Sequence, residues 1–67
     1  MSTINDQVLD WLGANPGYHR PMNIAQAIGL DTHTVAKACN RLDEKGRILR
    51  LRQAGRPASV YAHPDNK

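Results

Sequence analysis

The chain has 67 residues, which is enough for one small domain and excludes a second. Hydrophobic residues make up 40% of the sequence but aromatic residues only 4%, so we expect a core of Ile, Leu, Val and Ala side chains around Trp11. A formal net charge of +3 and a pI near 9.5 permit a polyanionic partner without requiring one.

The single cysteine and the N-terminal segment exclude two further classes of protein. Cys39 has no second cysteine to pair with, so the chain is not a disulfide-stapled secreted miniprotein. Residues 1–13 hold two acidic residues, no Lys or Arg, and no apolar run long enough for a signal peptide or a membrane span. We expect a cytoplasmic protein without a membrane partner.

The first predicted element is a helix over about residues 4–12, where apolar side chains recur at helical spacing. Ser2 or Thr3 can cap its start, and Gly13 together with Pro16 is expected to stop it. Turn residues follow, and the segment 18–20 precedes a proline, which favours an extended backbone. The sequence therefore predicts a short strand or arm there.

Two more helices follow in quick succession. Asn23 can cap a short second helix that Gly29 ends. Asp31 and Thr32 supply the next N-cap, for a third helix over about 32–45. The apolar stripe of this third helix follows the i, i+3, i+4, i+7 pattern and consists of Val35, Ala38, Cys39 and Leu42.

After Gly46 the spacing of apolar residues changes from 3.6 to 2, which predicts a strand with one charged side. A turn over 53–59, containing Gly and Pro, and a returning strand over 60–62 complete a hairpin. In the first strand, Ile48, Leu49 and Leu51 interleave with Arg47, Arg50 and Arg52.

The stretch 21–42 resembles the helix-turn-helix family. The family's markers are a small residue in the first helix, a Gly four positions later and an aliphatic residue six beyond that; here they are Ala25, Gly29 and Val35. Ala25 lets the two helices approach, Gly29 permits a left-handed turn and Val35 packs the second helix onto the first. With the hairpin behind it, the chain from 4 to 63 resembles the winged-helix branch.

This resemblance implies both a fold and a function. The fold is a small α+β winged helix, three helices with a C-terminal two-stranded β-hairpin wing, in a single domain over 1–67 whose ends at 1–3 and 64–67 are frayed. The implied partner is double-stranded DNA, with helix three in the major groove and the wing along the backbone or minor groove.

The distribution of charge agrees with this function. Residues 1–34 hold one basic and three acidic residues, a net charge of −2. Residues 35–67 hold eight basic and three acidic residues, a net charge of +5. The basic charge therefore lies in the half that the resemblance assigns to DNA, as phosphate neutralisation requires.

On helix three, the residues off the apolar stripe include Ala36 and Glu44 and the six predicted to contact DNA: Thr32, His33, Thr34, Lys37, Asn40 and Arg41. Asn40 has the chemistry to pair with adenine, and Arg41 or Lys37 to pair with guanine. Thr32, beside the helix N-terminus, suits a phosphate.

On the wing, three arginines are candidates for DNA contact. Arg56 at the tip can enter a minor groove, while Arg50 and Arg52 can contact flanking phosphates. The strand arginines have a structural alternative, because charge on an edge strand keeps that edge from pairing with other molecules.

The sequence contains no pattern typical of a metal, cofactor or catalytic site. The three histidines are scattered, and no CxxC or HxxxH spacing occurs. Asp43 and Glu44 are adjacent on a helix and point apart, so they form no carboxylate pair, and we do not expect an enzyme. Cys39, Trp11 and Tyr61 are interpreted as packing residues.

Three functions remain open. The first is a bacterial, phage or plasmid transcription regulator, associated with the nucleoid and binding DNA as a homodimer because one small module makes few contacts. The second is a winged helix used for protein–protein contact, since fold does not fix function.

The third comes from a resemblance to the Zα domains, which implies binding of Z-DNA or Z-RNA. AGRP at 54–57 is similar to the proline-containing wing of that family, and LDEKGRI at 42–48 resembles the end of its helix three. Those domains place an Asn and a Tyr on helix three. Aligned on Gly46, this sequence has Ala36 and Asn40 at those places, so the central aromatic contact is missing.

Overall fold

The structure is a computed structural model that describes residues 3–52, 55 and 59–66. Three helices are followed by two strands, in the predicted order. Their bounds are α1 Ile4–Ala14, α2 Pro21–Ile28, α3 Thr32–Glu44, β1 Leu49–Arg52 and β2 Ser59–Ala62. No helix in this described part of the chain is long and apolar enough to cross a membrane.

Helix α1 begins at a capping box and runs further than the sequence predicted. The Thr3 hydroxyl accepts a hydrogen bond from the Asp6 backbone N–H, and the Asp6 carboxylate accepts one from the Thr3 N–H. Of the two predicted stop residues, Gly13 lies inside the helix, and Asn15, the residue before Pro16, is the C-cap. The physical reason is Pro16, which excludes the helical conformation at the residue before it.

Helix α2 begins three residues earlier than predicted. Its N-cap is Arg20, whose side chain makes no capping hydrogen bond, and Asn23 is not the cap. Pro21 occupies the first helical position, where its fixed φ suits a helix and its missing N–H costs nothing. Gly29 ends the helix with a left-handed φ of 72°, as the turn requires.

Helix α3 is capped at both ends by local chemistry. The Asp31 carboxylate accepts a hydrogen bond from the Thr34 N–H over 3.2 Å. At the other end, Gly46 is left-handed, with φ 70°, and the Arg47 N–H bonds to the Leu42 carbonyl over 2.9 Å. Arg47 therefore belongs to the turn after α3 and not to the strand, contrary to the prediction.

The two strands pair antiparallel, and the predicted arm joins them. Arg50 lies opposite Tyr61 in the register, and Leu51 opposite Val60. On the other side of β2, His19 and Tyr61 exchange two backbone hydrogen bonds of 2.8 and 2.9 Å. Strand β2 is therefore central, and β1 forms the edge.

The edge position of β1 corrects the predicted strand pattern. The strand was predicted to have one charged side, yet Leu51 on its uncharged side is 46% exposed. In β2, by contrast, the consecutive residues 60–62 are all buried. Position in the sheet overrides alternation here, because β2 has a neighbouring segment on each side.

The core lies between the three helices and the base of the hairpin. Its largest fully buried side chains are aliphatic or cysteine: Leu12, Ile24, Val8, Val35 and Cys39. Trp11 does not stand at the centre as predicted; it is half-buried at the edge, with its ring 4.7 Å from the His19 ring in an edge-to-face contact. Tyr61 belongs to the core instead, 4% exposed.

The C-terminal segment makes contacts that the expectation of a frayed end did not include. The Asn66 side-chain amide donates to the Gly13 carbonyl over 2.8 Å. The Asn66 carbonyl accepts a hydrogen bond from the Gly17 N–H over 3.1 Å. Residues 64–66 thus close over the end of α1 and the turn after it.

Candidate nucleic-acid interface

The helix-turn-helix markers occupy the places that their chemistry requires. Ala25 and Val35 are buried, and Gly29 supplies the left-handed turn between α2 and α3. The Leu30 N–H closes this turn on the Ala25 carbonyl over 2.9 Å. As a result α3 packs its apolar stripe inward and presents its opposite face to solvent.

The residues predicted to contact DNA from α3 lie on this outer surface. All are exposed except Thr34, which is half-buried: Thr32, His33, Lys37, Asn40 and Arg41 are the exposed members. They do not converge on one point, because consecutive residues leave a helix about 100° apart. Asn40 turns toward the hairpin and Arg41 toward α1, with Lys37 on the ridge between them.

A hydrogen bond joins Asn40 to the hairpin. The Tyr61 hydroxyl donates to Asn40 Oδ1 over 3.2 Å. Burial raises the pKa of Tyr61 above its usual 10.0, an effect that the positive charge of Arg50 opposes. Asn40 Oδ1 keeps a second lone pair and its amide nitrogen keeps two hydrogens, so the side chain retains the groups that an adenine contact needs.

Sequence reasoning treated Tyr61 only as a packing residue and missed this bond. The two residues are 21 positions apart, and nothing in the spacing of either element shows that they meet. A tyrosine in a strand that is otherwise small and aliphatic was the available signal, since a buried hydroxyl needs a partner.

Arg50 is held at the base of the hairpin by two contacts. Its Nε donates to the Ser59 hydroxyl over 3.1 Å, and its guanidinium lies 3.6 Å from the Asp43 carboxylate on α3. Both charged side chains are about one-third exposed, at 35% and 30%. Arg50 therefore braces the hairpin against α3, a role that neither the phosphate prediction nor the edge-protection alternative included.

Of the other two wing arginines, the structure describes only Arg52. Arg52 is exposed at the end of β1. The predicted contact from Arg56 lies outside the described residues, and of the turn around it only Gly55 is described, with φ 75°.

Residues 3–52, 55 and 59–66 contain no group of three or more His, Cys, Asp or Glu side chains that could hold a metal ion.

A second basic surface lies on the other side of α3. A depression of about 450 Å³ opens between the first turn of α1 and the C-terminal half of α3. Three cations line it, Arg41, Lys45 and Arg47, here named the α1-side cluster. Of the three, Arg41 was predicted as a contact from helix three, Arg47 was grouped with the strand arginines, and Lys45 was not singled out.

These features together define a winged-helix fold: a helix-turn-helix, an exposed third helix and a hairpin packed beside it. No family model matches the sequence, and no curated protein matches it. A solved structure with the same fold is the Zα domain from Carassius auratus PKZ in complex with Z-DNA. It is 23% identical, the match covers 90% of each chain, and the TM-score is 0.73. The predicted α+β winged-helix fold is confirmed.

Proposed function

We propose that this domain binds double-stranded DNA with the exposed face of α3 and the adjoining hairpin. The observation that carries the proposal is the placement of charge. The half of the chain with a net charge of +5 forms most of α3 and the hairpin. Within the part of the chain that the structure describes, only Arg50 of these cations is within ion-pair distance of a carboxylate.

The geometry of α3 suits a duplex. An α-helix with its side chains is about 10–12 Å across, close to the roughly 12 Å width of the major groove. Lys37 stands on the outermost ridge of α3, where it would reach bases or phosphates. The hairpin beside the helix then lies against the flanking backbone, with Arg52 exposed toward it.

The finer proposal is a transcription regulator that acts as a homodimer at the nucleoid. A single module of this size offers one helix and one wing, and two copies would double the length of DNA that is read. The small size of the single module supports the dimer.

The experiment is a titration of the protein against a random-sequence right-handed duplex at several salt concentrations. We expect the logarithm of the affinity to fall linearly with the logarithm of the salt concentration. The slope should correspond to about four to six neutralised phosphates. Lys37→Ala should weaken binding and reduce that slope by about one. Ala14→Glu changes the net charge by the same amount at the carboxyl end of α1, and it serves as the matched control.

Two outcomes would contradict the proposal. The first is an affinity that does not depend on salt, or no binding to any duplex. The second is an equal loss of affinity in Lys37→Ala and Ala14→Glu, which would show that net charge alone, and not the position of Lys37, accounts for the loss. Absence of duplex binding would favour the protein–protein function.

A second candidate, binding of left-handed DNA, is supported by one comparison. The Zα domain that shares this fold was crystallised with Z-DNA. Here Asn40 stands where that family has a tyrosine, and it is hydrogen-bonded to Tyr61. Circular dichroism of an alternating CG duplex tests this function: added protein should invert the spectrum. An unchanged spectrum together with duplex binding would restrict the function to right-handed DNA.

A further inference from the structure

The α1-side cluster is a basic surface separate from the contacts that join α3 to the hairpin. Arg41 and Lys45 are one helical turn apart on the same side of α3, and Arg47 follows in the turn after it. All three side chains are exposed. In residues 3–52, 55 and 59–66, none of them lies within 4.0 Å of a carboxylate. The depression beside them therefore carries a concentrated positive charge.

The opposite wall of the depression is the first turn of α1. It contributes polar and apolar side chains, among them Asn5 and Ile4, and one acidic group, Asp6. The Asp6 carboxylate is occupied by the capping hydrogen bond from the Thr3 N–H. The positive end of the α1 dipole faces the same space, so an anion there would meet three side-chain cations and a helix N-terminus.

The position of the cluster on α3 gives it a distinct role. A helix inserted in a groove has three surfaces: a ridge facing the bases and two flanks, each facing one backbone. Tyr61 holds Asn40 on the hairpin flank. Arg41 and Lys45 lie on the opposite flank, beside α1.

We propose that the α1-side cluster binds phosphates of the second DNA strand, so that α3 and its two neighbours grip both backbones of one duplex. This inference rests on the proposed function and deepens it. Lys45 and Arg47 become DNA-contacting residues, although neither lies on the outer ridge of α3. The fold then uses α1 as well as the wing to place phosphates.

The first test removes the cluster. Arg41→Ala, Lys45→Ala and Arg47→Ala should each weaken binding of a right-handed duplex and lower the salt slope by about one, with Ala14→Glu as the charge-matched control. All three positions are exposed, Arg41 lies in α3 where Ala is favourable, and Lys45 and Arg47 follow the helix without a positive φ, so circular dichroism should show unchanged folding.

The second test asks whether the cluster contacts a different DNA strand from the one that the hairpin flank contacts. A short duplex is prepared with one strand carrying neutral methylphosphonate linkages and the other left charged. Neutralising one strand should lower the affinity of the wild-type protein, which loses the contacts of one flank. The triple Ala variant has no contacts there to lose, so its affinity should change much less.

The outcomes separate this inference from the proposed function. If the wild-type protein binds no duplex, the proposed function fails. If it binds, and the cluster variants keep its affinity and salt slope, the proposed function stands and the inference is overturned. An equal response of wild-type and triple variant to strand neutralisation overturns it as well.

Discussion

The hydroxyl of Tyr61 donates a hydrogen bond to Asn40 Oδ1 over 3.2 Å and so ties the second strand to the exposed helix. Tyr61 is 4% exposed, whereas Asn40 faces solvent. The bond joins a rigid core residue to a residue at the candidate interface. Its consequence is that the outward chemistry of Asn40 depends on a side chain from another element.

We expect Tyr61→Phe to lower the free energy of unfolding by about 1 kcal/mol, because the ring keeps its packing while the hydrogen bond is lost. Urea denaturation of the wild type, Tyr61→Phe, Asn40→Ala and the double variant forms a double-mutant cycle. The coupling energy should be about 0.5–1.5 kcal/mol. Additive effects of the two substitutions would show that the bond contributes nothing.

We expect stability to decline above about pH 9. Burial raises the pKa of the Cys39 thiol from 9.0 to about 12 in the folded state. Between these values the unfolded chain releases the proton and the folded chain keeps it, so a rise in pH favours unfolding. The stabilisation is complete below pH 9 and is lost as the pH rises toward 12, at up to about 1.4 kcal/mol per unit.

The check is the free energy of unfolding measured at pH 7, 8, 9 and 10 for wild type and Cys39→Ala. The variant should be less stable at pH 7, because a buried side chain is shortened, yet lose less stability between pH 9 and 10. Tyr61→Phe isolates the smaller effect of the tyrosine, whose pKa is also raised by burial. Parallel pH curves for wild type and Cys39→Ala would contradict the assignment.

Two glycines should respond to alanine with opposite signs. Gly29 has φ 72°, a conformation that costs a residue with a Cβ about 1–2 kcal/mol, although within the described residues an added Cβ would meet nothing within 4 Å beyond its chain neighbours. Gly13 lies inside α1, where Ala should stabilise the helix by about 0.5–1 kcal/mol; its Cβ would meet His63 at 3.4 Å. Thermal unfolding of Gly29→Ala and Gly13→Ala tests this. Shifts of equal sign would refute the argument.

The two effects of Asp31, its capping hydrogen bond to α3 and its negative charge, should be separable by substitution. Asp31→Ala removes the acceptor of the Thr34 N–H and should cost about 1 kcal/mol of stability, whereas Asp31→Asn keeps the cap and should change stability by only a few tenths. Because Asp31 places a negative charge at the N-terminus of α3, Asp31→Asn should also bind duplex DNA more tightly than wild type at low salt. Equal stability losses in Ala and Asn variants would exclude a capping role.

The local elements were largely predictable because their signals are local. Three helices, the hairpin order and the Ala25, Gly29 and Val35 spacing follow from periodicity and turn chemistry over a few residues. The errors arose where two local signals competed. Of the two predicted stop residues of α1, Pro16 sets the helix end and Gly13 does not, and Pro21 replaces Asn23 at the start of α2.

The arrangement of the candidate interface required the tertiary structure. Asn40 and Arg41 are neighbours in the sequence and were predicted to act together, yet one faces Tyr61 and the other α1. Arg50 and Asp43 come from different elements and meet only because the hairpin folds back on α3. These contacts join residues of different elements, so the spacing of residues within one element does not predict them.

The sequence by itself determined the element order, the buried stripe of α3 and the division of the chain into an acidic first half and a basic second half. These features follow from composition and from the spacing of residues a few positions apart in the chain. The tertiary structure decided which strand is central, where Trp11 and Tyr61 lie, and how the basic residues divide between the two flanks of α3. Those features depend on contacts between elements far apart in the chain, and packing geometry fixes them.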